Sequence, residues 1–264
     1  MSRRAAAAPG YPDELIDRLE VFWGEGFLSP GGAEEVREVL RGIEVRAKSV
    51  LDIGCGTAGP AISIARNLGA SEVVAIDVEP GVVARGRANV SKAGLDDRVE
   101  VRLVAPGPLP FPEARFDIVF SKDALLHIED KPALYADILR VLRPGGRFAA
   151  SDWLAAENAE ALPEFNRWRA LSPHDFAMQT PAEAEVILRR AGFAKVSLRN
   201  RNDWYIGAAR SGLEHMRGPL RQRFVALSDE AAYEQMLAIL EANAEAANSG
   251  GLRPTHLRGE RPGG

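Results

Sequence analysis

The sequence has one cysteine, four histidines and no long apolar run, and each shortage excludes a class of protein. Cys55 has no partner for an internal disulfide, and the histidines at 127, 174, 215 and 256 lack metal-ligand spacing, so no metal site is expected. No uncharged run approaches the ~20 apolar residues that cross a bilayer. Neither sign of charge is in large excess, because the sequence has 37 acidic and 33 basic residues. We therefore expect neither a nucleic-acid partner nor a membrane partner.

The N-terminus has little that is typical of a targeting signal. Residues 1–10 contain two arginines and only four alanines where a signal peptide needs an apolar segment. We interpret this stretch as a disordered tail and expect a cytoplasmic protein. A length of 264 residues falls between one and two typical domains, so length alone leaves the domain count open.

The middle of the chain alternates strand and helix patterns. Short apolar runs predict strands over residues 49–53, 72–77, 99–104, 116–121, 147–153 and 194–199. Periodic segments predict helices over 60–68, 80–93 and 132–142, and a capping box at Thr180 begins another. This alternation is typical of a parallel sheet covered by helices on both faces, an α/β fold.

The flanking segments have a weaker pattern. An apolar helical face is predicted over 15–23, two helices near 206–225 and 229–247, and a last strand over 255–258. The helix at 229–247 is interpreted as a surface helix. At least two of four aromatic residues are expected to fill the core: Trp153, Trp168, Trp204 and Tyr205. Four arginines are interpreted as solvated surface charges, with binding of a substrate carboxylate by one of them as the alternative: Arg167, Arg169, Arg199 and Arg201.

A glycine loop joins the first core strand to a helix. Gly54, Gly56 and Gly59 match G-x-G-x-x-G, in which missing side chains let the backbone approach a ligand at a helix N-terminus. Asp77 ends the next strand, where a carboxylate can bind both hydroxyls of a ribose. Asp52 would repel a pyrophosphate but suit a cationic amino group. The pattern leaves a dinucleotide and S-adenosylmethionine as alternatives and favours the second.

Four motifs together resemble the Rossmann-like S-adenosylmethionine-dependent methyltransferases. They are Val50-Leu-Asp-Ile-Gly-Cys-Gly56, Ala75-Ile-Asp77, Phe116-Asp-Ile-Val-Phe-Ser121 and Leu142-Arg-Pro-Gly-Gly146. The resemblance spans roughly residues 45–200 in the correct order. It implies S-adenosylmethionine as cofactor and a seven-stranded, mostly parallel sheet whose last strand is antiparallel, with helices on both faces.

A closer resemblance, to the phosphoethanolamine N-methyltransferases, lies outside this core. It rests on Tyr11-Pro-Asp-Glu14, Phe22-Trp-Gly-Glu-Gly-Phe-Leu-Ser-Pro-Gly-Gly32 and Ser121-Lys-Asp-Ala-Leu-Leu-His127. It implies a catalytic pair, Tyr11 and His127, and contact between Asp123 and the substrate amine. Together with the glycine-loop argument, the expected cofactor contacts are Leu28, Ser29, Asp52, Gly54, Gly56, Asp77, Val78, Ala105 and Ser121.

The chain departs from that family at several positions. Ala105 stands where the family usually has an acid that holds the adenine amino group, so loop backbone would hold the adenine instead. The positions of the family's phosphate ligands hold Leu19, Trp153, Ala170, His174 and Phe176. We therefore expect a substrate other than a phosphobase, with Trp153, His174 and Phe176 at the acceptor site.

The expected function is methyl transfer from S-adenosylmethionine to a small metabolite, at an amine nitrogen. An amine must expose its lone pair, and a histidine at a strand end suits that proton transfer. The alternatives are O- or S-methylation, another sulfonium-driven alkyl transfer or cyclisation, a nicotinamide-dependent oxidoreductase and a non-catalytic cofactor-binding protein. We expect a monomer or homodimer with a tail (1–10), N-terminal lid helices (11–45), a cofactor-binding core (46–153) and acceptor-pocket segments completing the core (154–264).

Overall fold

A seven-stranded sheet forms the centre of the protein in the computed structural model, which describes residues 10–172 and 174–263. The expected disordered tail lies, apart from Gly10, outside the described residues. The strands are β1 Ser49–Ile53, β2 Glu72–Asp77, β3 Val99–Leu103, β4 Phe116–Lys122, β5 Leu142–Ala155, β6 Ala194–Asn200 and β7 Leu252–Glu260. Their order is β3-β2-β1-β4-β5-β7-β6, and β7 is antiparallel to both neighbours. The predicted α/β methyltransferase-type sheet is confirmed.

Helices cover both faces of this sheet. They are α1 Asp13–Trp23, α2 Gly32–Val39, α3 Gly59–Asn67, α4 Pro80–Lys92, α5 Lys131–Val141, α6 Pro163–Leu171, α7 Pro181–Ala191, α8 Asn202–Arg217, α9 Arg221–Leu227 and α10 Glu230–Asn248. One buried cluster joins α2, α3 and α4 to one face, and another joins α5 and α7 to the opposite face. Thr180 and Glu183 form the predicted capping box at the start of α7.

Helices α6, α8, α9 and α10 pack together into a helical layer beside the sheet. Phe165 and Trp168 of α6 are buried against alanines of α10, and Tyr233 and Leu240 of α10 join a second cluster with Phe224. The interpretation of 229–247 as a surface helix is therefore wrong. Small alanine side chains let α6 and α8 approach α10 closely, so one face of α10 is core while its glutamates lie at exposed or half-buried positions.

Two further boundaries differ from the sequence prediction. The helix expected near 206–225 is divided into α8 and α9 around Gly218. Strand β5 begins before Pro144, not after it, because the Pro-Gly-Gly segment is accommodated by a register shift against β4. Gly145 has a φ of 77°, a conformation that favours glycine, and its N–H donates to Arg261 C=O.

Within the described residues, no helix is both long and apolar enough to cross a membrane. The same residues contain no group of three or more His, Cys, Asp or Glu side chains arranged to hold a metal ion.

Candidate active site

The glycine loop lies at the carboxyl end of β1 and contacts the N-terminal segment. The Gly59 N–H donates to Gly26 C=O at 2.9 Å. A Cβ on Gly59 would stand 2.6 Å from the Gly26 carbonyl carbon, and one on Gly56 would stand 3.3 Å from Leu28 Cδ1. Close packing of residues 24–28 therefore requires the loop to lack side chains here.

Asp77 ties this loop to the end of β2. Its carboxylate accepts hydrogen bonds from the N–H groups of Gly56 at 3.0 Å, Val78 at 2.8 Å and Glu79 at 3.1 Å. Burial raises the pKa of Asp77, and the three backbone donors oppose that rise. The carboxylate thus fixes the backbone at the edge where a ribose would lie.

Asp52 lies inside β1, two residues before the loop. Its side chain is fully buried, and neither carboxyl oxygen has a hydrogen-bond partner among the described residues. Burial, reinforced by the charge of Asp77 and opposed by Lys122, raises the pKa of Asp52 to about 8. A buried carboxyl group without a partner is costly, so these oxygens are available to a donor that the protein does not supply.

Apolar side chains are exposed at the neighbouring strand ends. Val78 follows β2 and Leu103 ends β3, and they are 45% and 48% exposed. Asp77 and Leu103 are register partners, so the two apolar groups lie close to the Asp77 carboxylate. Ala105 is also exposed in the loop after β3.

A buried lysine connects the N-terminal segment to the end of β4. Lys122 Nζ donates to Ser29 Oγ and to Asp123 Oδ2, each at 2.7 Å, and its side chain is 2% exposed. Ser151 Oγ donates to the other Asp123 oxygen at 2.8 Å. Asp123 has a φ of 53°, an unusual conformation that these contacts hold.

His127 belongs to a row of rings at the carboxyl end of β4. Its ring centroid is 5.7 Å from that of His174 and 5.3 Å from that of Phe176, while Tyr11 stacks on His174 at 5.3 Å. The His127 side chain is exposed to solvent, yet desolvation by the surrounding protein, with the charges of His174 and Lys131, lowers its pKa to about 4. Burial raises the pKa of Tyr11 to about 12. Both groups are therefore uncharged at neutral pH.

The turn that carries His127 is held by a buried pair that the sequence prediction missed. Lys131 Nζ donates to Leu125 C=O at 2.7 Å, and Asp152 Oδ1 accepts from the Leu126 N–H at 3.3 Å. Burial lowers the pKa of Lys131 and raises that of Asp152 to about 8. The signal that could have found Asp152 is a charged residue within an apolar strand pattern near the carboxyl edge of the sheet, three residues before β5 ends.

Aromatic side chains continue from His127 toward the helical layer. Trp168 stacks on Phe176 at 5.6 Å, and Trp153 contacts both Trp168 at 5.9 Å and Tyr205 at 5.6 Å. Trp168 and Tyr205 are buried, which confirms that at least two of the four aromatics are core residues, whereas Trp153 and Phe176 are only partly covered.

Comparison with known proteins identifies the family. A family model described as a methyltransferase domain matches residues 50–146. The 27-O-demethylrifamycin SV methyltransferase of Amycolatopsis mediterranei is 30% identical over 256 residues, which cover 91% of this chain and 92% of that protein. The chain belongs to the S-adenosylmethionine-dependent methyltransferases. Its methyl donor is S-adenosylmethionine.

Some other relatives of the chain are longer than it is. Phosphoethanolamine N-methyltransferase 3 of Arabidopsis thaliana is 29% identical over 86% of this chain, but the match covers 45% of that protein. The chain thus spans less than half the length of this relative. Phosphoethanolamine N-methyltransferase 2 of Haemonchus contortus, solved with S-adenosyl-L-methionine, has a TM-score of 0.88 over 96% of this chain and 58% of its own. At 23% identity this likeness shows the shared fold.

The methyltransferase's own residues fit the donor. The oxygens of Asp52 without partners suit a cationic amino group, and Asp77 lies where it can bind ribose hydroxyls. The exposed apolar groups of Val78 and Leu103 suit the faces of an adenine ring. Cys55 is buried, and burial raises its thiol pKa well above the ordinary value, so it is unsuited to act as a nucleophile.

Several expected site residues are engaged with protein groups. The Ser121 hydroxyl donates to Ile53 C=O at 2.8 Å, so its side chain links the ends of β1 and β4. Asp123 is neutralised by Lys122, whose part in the site the sequence prediction missed. A lysine between a strand-end serine and an aspartate was the available signal.

Replacing Gly59 by alanine is expected to weaken binding of S-adenosylhomocysteine about tenfold. The new Cβ would displace the Gly26 carbonyl, and with it residues that contact the loop. Gly207→Ala is the matched control, since nothing lies within 4 Å of its Cβ position inside α8. That variant should bind normally and be slightly more stable. Calorimetric titration measures both affinities, and equal affinities would contradict the prediction.

Proposed function

We propose that this methyltransferase methylates an amine nitrogen of a small molecule that carries no phosphate group, with His127 as proton acceptor. The observation that carries the proposal is the position of His127, which follows β4 at the carboxyl end of the sheet with its ring centroid 5.7 Å from that of His174 and 5.3 Å from that of Phe176. Similarity to the phosphoethanolamine N-methyltransferases supports nitrogen as the acceptor atom.

Each residue has a stated part in the proposed reaction. S-adenosylmethionine supplies a methyl group bonded to a positively charged sulfur, which makes the methyl carbon electrophilic. His127 accepts the proton from the N–H group of the substrate as positive charge builds on the substrate nitrogen. Tyr11 packs on His174, which lies between it and His127, and helps to exclude water. Lys131 and Asp152 position the turn that carries His127.

The lining of the acceptor side argues against a phosphate-bearing substrate. Lys122 is committed to Ser29 and Asp123, and burial lowers the pKa of His174, which keeps that ring neutral. The partly covered rings of Trp153 and Phe176 offer π faces, which attract an ammonium group by about 0.5–2 kcal/mol. In this proposal, aromatic rings that contact an ammonium group stand where a phosphate-bearing substrate would need positively charged side chains.

The proposal is tested with methyl-¹³C-labelled S-adenosylmethionine and three acceptor sets: phosphate-free amines, phosphoethanolamine, and apolar alcohols. We expect labelled N-methyl products from the first set and no turnover of phosphoethanolamine. The ¹³C shift of the product distinguishes N-methyl from O-methyl groups. Turnover of phosphoethanolamine at a rate matching the best amine would overturn the proposal.

O-methylation is the second candidate, and one observation favours it. The relative that matches this chain over nearly its whole length is named for methylation at a 27-O position. Neutral His127 has a free ring nitrogen that would accept a hydroxyl proton as well as an amine proton. The alcohol set in the labelling experiment decides between the two acceptor atoms.

Replacing Trp153 by leucine is expected to raise the KM for a cationic acceptor about tenfold, the scale of a desolvated cation–π contact, while cofactor affinity stays unchanged. Trp153→Phe retains a π face and should recover most of the loss. Steady-state kinetics measure both variants. An equal loss in the phenylalanine variant would indicate a packing role instead.

We also propose that residues 11–45 form a lid over the cofactor and that segments within 154–264 supply the acceptor pocket. The contacts Gly26–Gly59 and Ser29–Lys122 support the lid. S-adenosylhomocysteine should then protect this segment from limited proteolysis. We further propose that the protein is cytoplasmic. We also propose that it is a monomer or a homodimer, and light scattering measures which of these it is.

A further inference from the structure

Four polar side chains share one face of the paired strands β6 and β7, and none of them is among the residues assigned to the methyl-transfer site. Ser197 pairs with Arg258, and Arg199 pairs with His256. Residues opposite each other in an antiparallel pair, and residues two apart along a strand, point to the same face. The four side chains therefore form one patch, and they line one cavity of about 170 Å³ with Arg41, which follows α2.

Positive charge dominates this cavity. Arg41 pairs with Glu38, and Arg199 approaches the same carboxylate at 3.7 Å. Arg258 Nη2 donates to the backbone carbonyls of Glu38 at 3.2 Å and Val39 at 2.7 Å. Burial, together with the charge of Arg199, lowers the pKa of Arg258. Among the described residues, three guanidinium groups thus line the cavity, with the Glu38 carboxylate beside two of them and the Glu35 carboxylate behind His256.

A buried histidine provides an independent indication of a ligand. His256 is 2% exposed, and its Nε2 lies 2.6 Å from Glu35 Oε1, so Nε2 carries a proton that it donates to the carboxylate. Arg201 binds both oxygens of Glu35, at 3.2 and 2.6 Å. His256 Nδ1 has no hydrogen-bond partner among the described residues. Buried polar atoms are normally paired, so an unpartnered nitrogen beside this cavity is unusual.

We propose that this cavity is a binding site for a small phosphate, either inorganic phosphate or the phosphoryl end of a phosphate monoester. Its anionic oxygens accept from the guanidinium forks, which suit tetrahedral oxyanions. His256 Nδ1, which has no partner among the described residues, forms a further hydrogen bond with a phosphate oxygen. The cavity is smaller than the roughly 300–1,000 Å³ of pockets for drug-sized ligands, which restricts the site to a phosphoryl group and few further atoms. None of the residues that line it belongs to the proposed donor and acceptor sites.

The test titrates the full chain with sodium phosphate at constant ionic strength, with chloride as the balancing anion, and follows ³¹P line width and thermal unfolding. We expect saturable binding to one site. Arg41→Gln/Arg199→Gln, two exposed side chains whose loss should leave folding intact, is expected to weaken it at least about tenfold. Arg223→Gln, an exposed arginine on α9, is the matched control and should bind normally.

Two further measurements identify which phosphate binds and where on the protein it binds. Glycerol 3-phosphate that binds more tightly than inorganic phosphate indicates a monoester, and weaker binding indicates free phosphate. Saturation with S-adenosylhomocysteine should leave phosphate affinity unchanged, and the ¹⁵N signal of His256 should shift on phosphate addition. Non-saturable binding, competition with S-adenosylhomocysteine, or wild-type affinity in the double variant would each overturn the proposal.

Discussion

His127→Ala is expected to lower kcat by about 100-fold or more, the usual scale for loss of a positioned proton acceptor. S-adenosylhomocysteine affinity should change little, because His127 belongs to the ring row with His174 and Phe176 and not to the glycine loop. Single-turnover kinetics with saturating cofactor measure the chemical step directly.

The matched control is His215→Ala, an exposed histidine on α8. It should retain wild-type kcat and stability. His127→Gln removes the base but retains an acceptor oxygen, so it separates proton acceptance from simple orientation of the acceptor. Full activity of His127→Ala near neutral pH would show that the proton leaves by another route.

The pH profile of kcat should reflect the depressed pKa of His127. The neutral ring is the active form, so activity falls as pH drops through the pKa of the folded protein. Because burial, His174 and Lys131 all lower that pKa, to about 4, kcat should stay flat from about pH 8 down to about pH 6. An acid limb centred near the ordinary imidazole value would mean that His127 is more solvated during turnover.

Local sequence signals were sufficient for the sheet and the cofactor loop. β1 and β2 have the predicted boundaries because each is a short apolar run that ends at a glycine or an acid. Their parallel order brings Asp52, Gly54 and Asp77 to one edge without further information. The motif spacing therefore predicted which residues the fold brings together at the cofactor half of the candidate site.

Long-range pairing explains most of what the sequence could not predict. Arg201, interpreted as a solvated charge, binds Glu35 across 166 positions, and His256 binds the same carboxylate across 221. Nothing local in the sequence marks any of these residues as a partner. Their burial follows from the placement of α2 over β7, a property of the assembled fold.

Long-range contacts also limited the prediction of the acceptor half of the candidate site. Trp153 and Phe176 were predicted from positions in related sequences, but the neutralisation of Asp123 depends on Lys122 and Ser151 together. Asp123 was expected to contact an amine. Because its charge is paired with Lys122, our proposal assigns the attraction for an ammonium group to the aromatic rings and not to this carboxylate.

Asp77→Asn is expected to weaken cofactor binding by about 10- to 100-fold, the range for loss of one or two charge-assisted hydrogen bonds. The wild-type carboxylate accepts from Gly56, Val78 and Glu79, and it is positioned to accept from ribose hydroxyls. An amide retains one acceptor oxygen and turns an N–H₂ group toward backbone donors. The variant should therefore lose both cofactor contacts and the fixed geometry of the loop.

Asp97→Asn, an exposed aspartate in the turn before β3, removes the same charge and should leave affinity within about twofold. Calorimetric titration with S-adenosylhomocysteine gives the affinity, and unfolding without ligand shows whether the Asp77 variant is folded. A folded Asp77→Asn protein with wild-type affinity would mean that the carboxylate only ties Gly56 to β2. If affinity falls while kcat at saturating cofactor is preserved, Asp77 contributes to binding and the chemistry depends on the His127 side of the cleft.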